Sequence, residues 1–124
     1  GRTGSLQAGW PEGAHALVFP VDHPAVRLVT LDALIGVFGY AAASPDVLVP
    51  AIEREGARRR GHPILLASRL RPEVMALGPD QPLRDLVRAR EVLEVPVDDE
   101  GILLDVDLPA DLARAAALVR ASPP

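Results

Sequence analysis

The aspartates that follow apolar runs are the side chains with the types and spacing to do chemistry. Asp22 stands in Phe19-Pro20-Val21-Asp22-His23-Pro24, directly after the apolar run 14–19. That run ends at a proline and reads as a buried strand of a parallel sheet, covered on both faces. Open α/β sheets bind ligands beyond the carboxyl ends of their strands. A carboxylate there suits a hard cation, because Mg²⁺ takes one or two carboxylates and completes its shell with phosphate oxygens and water. The competing reading is a loop aspartate that caps the next turn. Asp105-Val106-Asp107 follows a second apolar run, Ile102-Leu103-Leu104. In an extended segment both carboxylates point to one side, as a metal site would require. Alternatively Asp107 caps the helix that Pro109 begins and Asp105 is solvated; one residue can do both.

Two further segments could hold anions. Arg58-Arg59-Arg60-Gly61-His62-Pro63 offers guanidinium groups, which bind phosphate through paired hydrogen bonds, and a glycine that lets backbone approach a ligand. A run of arginines is equally a solvated loop, and His62 equally a structural hydrogen bonder. Gly4-Ser5 lies in a Gly-rich opening segment, and glycines before a helix start make an anion site available. No Walker A sequence and no G-x-S-x-G elbow is present. His15 and His23 form no recognisable transition-metal spacing with a carboxylate.

The bulk properties narrow the class. At 124 residues the chain is one domain or less, and 48% hydrophobic content argues against disorder. The net charge of −4 does not favour nucleic acid as a partner. There is no cysteine, hence no disulfide or thiolate metal site, which fits a cytoplasmic protein. No apolar run reaches the length of a membrane span, and no signal peptide opens the chain. All 13 basic residues are arginine, so this chain holds no catalytic lysine.

The elements that must position these residues alternate. Ser5-Leu6-Gln7-Ala8 reads as a helical turn, broken by Pro11 and Gly13. Thr30 reads as an N-cap, with Leu31, Leu34, Ile35 and Phe38 at helical spacing to about residue 43 and Ser44-Pro45 as the stop. Strands are expected over 46–51, 64–66 and 91–97, the last half-buried by its alternation. Segment 53–61 reads as a hairpin-like or open loop. Helices are expected across 72–77 behind Ser68, across 83–90, and from Pro109 to before Pro123, the last carrying Leu112, Ala115, Ala116 and Val119 on one face. This order argues for α/β architecture.

In order and spacing these motifs resemble the MobA-like NTP-transferase family, and within it the molybdenum-cofactor cytidylyltransferase branch. Gly4-Ser5-Leu6-Gln7-Ala8-Gly9 resembles the family's G-x-S-x-S-L-x-x-G segment beside the nucleotide. Residues 18–24 resemble the strand and D-x-P loop whose aspartate binds Mg²⁺. Gly61-His62-Pro63-Ile64-Leu65-Leu66 resembles the G-H-P segment near the acceptor pocket. Residues 95–112 resemble the terminal D-I-D-T-P-E-D-L signature. The resemblance implies a Rossmann-like nucleotidyltransferase fold, with residues 1–124 as the carboxy-terminal part of the domain. It implies transfer of a nucleoside monophosphate, CMP from CTP or from another NTP, to molybdopterin or molybdenum cofactor, with release of pyrophosphate. Asp22 and Asp107, with Asp105 beside them, would hold Mg²⁺. Gly4 and Ser5 would contact nucleotide, and Arg60, Gly61, His62 and Pro63 would contact the acceptor.

The departures bear on activity. The family's first strands and its Gly-rich, lysine-bearing loop have no counterpart here, and Leu108 stands where the signature has threonine. On this reading the fold is incomplete and the chain alone is inactive, with an exposed sheet edge suited to self-association or to pairing with the missing half. Two other functions compete: an accessory domain that binds without turnover, and a related nucleotidyltransferase acting on a sugar phosphate.

Overall fold

Segment 47–54 can hydrogen-bond along both edges and bury both faces, and it organises the rest. The computed structural model describes residues 2–20, 22–40, 45–78, 80–104 and 109–121. Strand β2 is Val47–Arg54, buried from Val47 to Ile52. One edge carries β5 (Val92–Pro96) in parallel, from Val47↔Val92 to Ala51↔Pro96. The other carries two antiparallel strands in succession: β4 (Ile64–Leu66) on the first half and β3 (Ala57–Arg60) on the second. Outside β4 lies β1 (Ala16–Val18), also antiparallel.

Between β3 and β4 the chain leaves the ladder at Gly61-His62-Pro63, where the His62–Pro63 peptide is cis. Pro50 sits opposite this break. Its carbonyl accepts from the Gly61 N–H at 2.9 Å. The N–H and C=O of one strand residue point to the same side, so the donor that Pro50 lacks would face the interruption. A proline is thereby accommodated in a central strand.

The sheet divides two apolar layers by alternation. Val47, Val49, Ile64 and Leu66 face Trp10, Leu70 and Val74, with α1 (Arg2–Gly9), α3 (Arg71–Met75) and α4 (Leu83–Arg88) packed above them. Leu48, Leu65 and Val95 face Leu34 of α2 (Leu28–Tyr40) on the other side. Each such buried aliphatic side chain contributes roughly 1.5–3 kcal/mol. Helix α5 (Pro109–Ala121) packs through Ala115 and Leu118 onto Ala25 and Leu104.

The α/β reading stands, with local corrections. β1 is neither parallel to its neighbour nor fully covered: no described strand pairs its outer edge, and Leu17 and Phe19 are exposed. Segment 53–61 is a hairpin, because Glu55 (φ 54°) and Gly56 (φ 76°) supply the two left-handed positions that a tight two-residue turn needs. Residues Glu100–Leu103 form a 3-10 turn that takes in most of the apolar run before Asp105. In α5 Leu112 and Val119 are exposed, and Ala115 with Leu118 makes the contact. Ser68 lies in a 3-10 turn, Ser68–Leu70, that leads into α3 and caps nothing with its side chain.

Candidate functional site

The register decides which loops meet. Val18, the last residue of β1, pairs with Ile64, the first of β4. In an antiparallel pair, the chain leaving β1 and the chain entering β4 therefore lie at one end of the sheet. That brings Asp22 and His23 to His62, 39 residues farther along than His23. Asp22 Oδ1 is 3.0 Å from His23 Nδ1. An ionised carboxylate only accepts, so His23 Nδ1 carries the proton. The His23 ring, 3% exposed, packs edge-to-face on His62 with centroids 4.8 Å apart. Asp22 itself is partly exposed. A solvent-reachable carboxylate is thus fixed from behind by a buried imidazole, which in turn contacts the second histidine.

Main-chain packing holds these loops together. A Cβ on Gly61 would stand 2.4 Å from the Ile102 carbonyl oxygen, and one on Gly101 would stand 2.1 Å from that of Ala25. The His62 N–H donates to the Ile102 carbonyl at 3.0 Å. The backbone that Gly61 admits is therefore the chain's own 3-10 turn. Asp99, 4% exposed, ties the same turn to α2. Its carboxylate accepts from the Gly101 N–H at 2.9 Å, the Arg27 N–H at 2.8 Å and the Thr30 hydroxyl at 2.6 Å. Thr30 is thus not the cap expected from the sequence. The helix starts two residues earlier, and its first turn is satisfied by an aspartate 69 positions away.

Beside His62 opens a cleft of about 460 Å³. Val18, Val49 and Ile64 form its apolar floor and Leu83 and Val87 of α4 its wall, with Arg60, His62 and Arg84 at the rim. Arg60 Nε donates to Glu94 Oε2 at 2.6 Å, and Arg58 Nη1 to Glu94 Oε1 at 3.1 Å. The Arg60 guanidinium first, then that of Arg58, holds the Glu94 carboxyl below its ordinary range. Hydrogen bonds to Glu94 and then Glu53 raise the Arg58 value. The arginine cluster is thus largely engaged with carboxylates of its own sheet.

Of the residues singled out by sequence, Arg60, Gly61 and His62 meet at the cleft, Pro63 is buried and does not line it, and Asp22 reaches it through His23. Asp105 and Asp107 lie outside the described residues. Gly4 and Ser5 fall inside α1 rather than ahead of it, and Ser5 lines a separate cavity of about 310 Å³ with Trp10 and His15. Among the described residues no group of three or more His, Asp or Glu side chains is arranged for a metal ion. Asp22 alone matches the needs of an ion that draws its other ligands from phosphate and water. His23, Arg84 and Asp99 were not singled out as site residues. Adjacency to Asp22 was the available signal for His23, whereas the other two are recruited by tertiary contact. No described helix is long and apolar enough to cross a membrane.

A mixed sheet with helices on both faces is the architecture of an incomplete Rossmann-like nucleotidyltransferase fold. The chain belongs to the MobA-like NTP transferase domain family, whose sequence pattern matches residues 1–95. Among curated proteins none matches the sequence. Solved structures that share the fold include Rv0371c of Mycobacterium tuberculosis H37Rv, at 25% identity and TM-score 0.72 over 98% of this chain and 60% of that one. Its homologue from Mycobacterium sp. strain JC1 matches at 22% identity and TM-score 0.72, over 98% and 61%. The bifunctional IspDF of Campylobacter jejuni matches at 15% identity and TM-score 0.63, over 90% and 32%. The chain thus spans about three fifths of the length of the two mycobacterial proteins.

Proposed function

We propose that the chain forms the acceptor side of a nucleotidyltransferase site that transfers CMP from CTP to a molybdopterin-type acceptor. In that reaction an acceptor phosphate oxygen bonds to the α-phosphorus, the bond to the β-phosphate bridging oxygen breaks, and pyrophosphate leaves. The observation that carries the reading is the Asp22–His23–His62 contact chain at the end of β1. It joins the two motifs that resemblance assigns to triphosphate and to acceptor. Mg²⁺, held by Asp22 with Asp107 and Asp105, would neutralise triphosphate charge. The chain's own contribution is positional. His23 fixes the Asp22 carboxylate, and the cleft edged by Arg60, Gly61 and His62 takes the acceptor. Gly4 and Ser5 are assigned to the nucleotide by resemblance.

The test is calorimetric titration of the chain with CTP and with GTP, each with and without Mg²⁺. Mg²⁺-dependent binding that favours CTP is expected. Asp22→Asn should weaken it roughly tenfold, as loss of one charged contact does. Nucleotide binding indifferent both to Mg²⁺ and to Asp22→Asn would overturn the assignment, as would the absence of any binding.

A further inference from the structure

The arginines at the cleft are not equivalent. Arg60 is paired with Glu94, which Arg58 also holds, and Arg58 bonds Glu53 in addition. Arg84, on the first turn of α4, faces the same cleft from the opposite wall. It is exposed, and none of the ion pairs among the described residues includes it. In a chain of net charge −4, an uncompensated guanidinium over an apolar cavity is where an anion gains most. The cavity volume lies in the range of small-molecule sites. Its floor of Val18, Val49 and Ile64 and its wall of Leu83 and Val87 suit the faces of a flat ring system, and its polar partners, Arg60, His62 and Arg84, lie at the rim.

We propose that Arg84 is the residue that selects the acceptor's phosphate in this cleft, the acceptor being a phosphomonoester whose flat body lies on the apolar floor. This deepens the nucleotidyltransferase reading and rests on it: the ligand is the acceptor, and its phosphate is the attacking group. The planar guanidinium of Arg84 grips two phosphate oxygens at once, while the flat body lies between the sheet and α4. Arg60 remains tied to Glu94 and sets the opposite rim. The arginine that matters is therefore not in the Arg58-Arg59-Arg60 run.

Phenyl phosphate and inorganic phosphate serve as probes, titrated into the chain by calorimetry and by phosphorus NMR. Phenyl phosphate is expected to bind more tightly than inorganic phosphate. Arg84→Gln should weaken phenyl phosphate roughly tenfold or more, the loss of a bidentate charged contact. Arg88→Gln, on the same helix but outside the cleft, should change nothing. Equal affinity in Arg84→Gln and the unaltered chain overturns the proposal, as does an equal loss in Arg88→Gln or no phenyl phosphate binding at all. A parallel titration with Mg²⁺ and CTP separates the two readings. If phenyl phosphate fails but Mg²⁺–CTP binding still needs Asp22, the cleft assignment falls and the nucleotidyltransferase reading stands. If phenyl phosphate binds through Arg84 but CTP binding ignores Mg²⁺ and Asp22, the nucleotidyltransferase reading falls and the acceptor assignment falls with it. An equal loss of CTP and phenyl phosphate in Arg84→Gln puts the nucleotide in the cleft and overturns the acceptor assignment.

Discussion

Asp99→Ala is expected to destabilise the fold by about 3–5 kcal/mol, because three neutral donors, the buried Thr30 hydroxyl among them, lose a charged acceptor. The carboxylate accepts three hydrogen bonds, two through Oδ2 and one through Oδ1. Each is charge-assisted and contributes roughly 1.5–3 kcal/mol net. They share one group and are not additive. Thr30 is 1% exposed, so its hydroxyl would be left buried without this acceptor. Asp99→Asn separates the terms. Its carboxamide oxygen can take the Oδ2 position and keep Arg27 and Thr30, which turns an NH₂ toward the Gly101 N–H. One bond is lost, and the expected cost is about 1–2 kcal/mol. Urea unfolding followed by circular dichroism, and by the fluorescence of the single, buried Trp10, reads both variants. For a chain of this size the alanine variant should melt roughly 10–20 °C lower. An alanine cost under about 1 kcal/mol, or an asparagine cost equal to that of alanine, refutes the assignment of Asp99 as the tie between α2 and the 3-10 turn.

Two further outcomes follow from the same geometry. Gly101→Ala should cost about 3 kcal/mol, because the added methyl meets a backbone carbonyl that cannot rotate away. Denaturant unfolding checks the energy, and displaced amide resonances across residues 22–27 check the location; unshifted resonances count against it. The Glu94 carboxyl is held below its ordinary range in the folded chain, so its arginine pairs contribute fully above the unfolded carboxyl's value near 4.5 and are lost as pH falls through the folded one. Unfolding at pH 5 and pH 3 should therefore show a larger acid loss in the unaltered protein than in Glu94→Gln. Parallel losses would remove these pairs from the acid response.

What the sequence disclosed was mostly local. Ile64-Leu65-Leu66, bounded by Pro63 and Ser68, is a strand at the expected residues, and Pro82 opens α4 as expected. The turn at Glu55-Gly56 was within reach through Gly56, but a charged 53–61 segment has no apolar alternation to separate hairpin from loop. The direction of β1 was not legible. An apolar run looks the same whether its neighbour is parallel or antiparallel, and only the pairing with β4 decides. Asp22 was visible as a carboxylate after a strand. Its support was less so, because His23 is adjacent and easily passed over, and His62 arrives only through strand register. The arginine run marks Arg60 in the sequence, whereas its compensation by Glu94 lies 34 residues away. Arg84 had no local pattern to mark it.

The two glycine contacts bear on how such a site can be retuned. Through Gly61 and Gly101 the loops bearing His62 and Asp22 each pack closely on the Glu100–Leu103 turn, against the Ile102 carbonyl on one side and from Gly101 onto the Ala25 carbonyl on the other. Their spacing is written into peptide groups that every residue type shares. One wall of the cleft, by contrast, is exchangeable side chain: Leu83, Arg84 and Val87 lie on one short helix that takes no part in those contacts. Ligand preference can therefore drift by single substitutions on α4 while the Asp22–His23–His62 alignment stays as it is. A scaffold so divided keeps the placement of its carboxylate while one wall of the cleft changes.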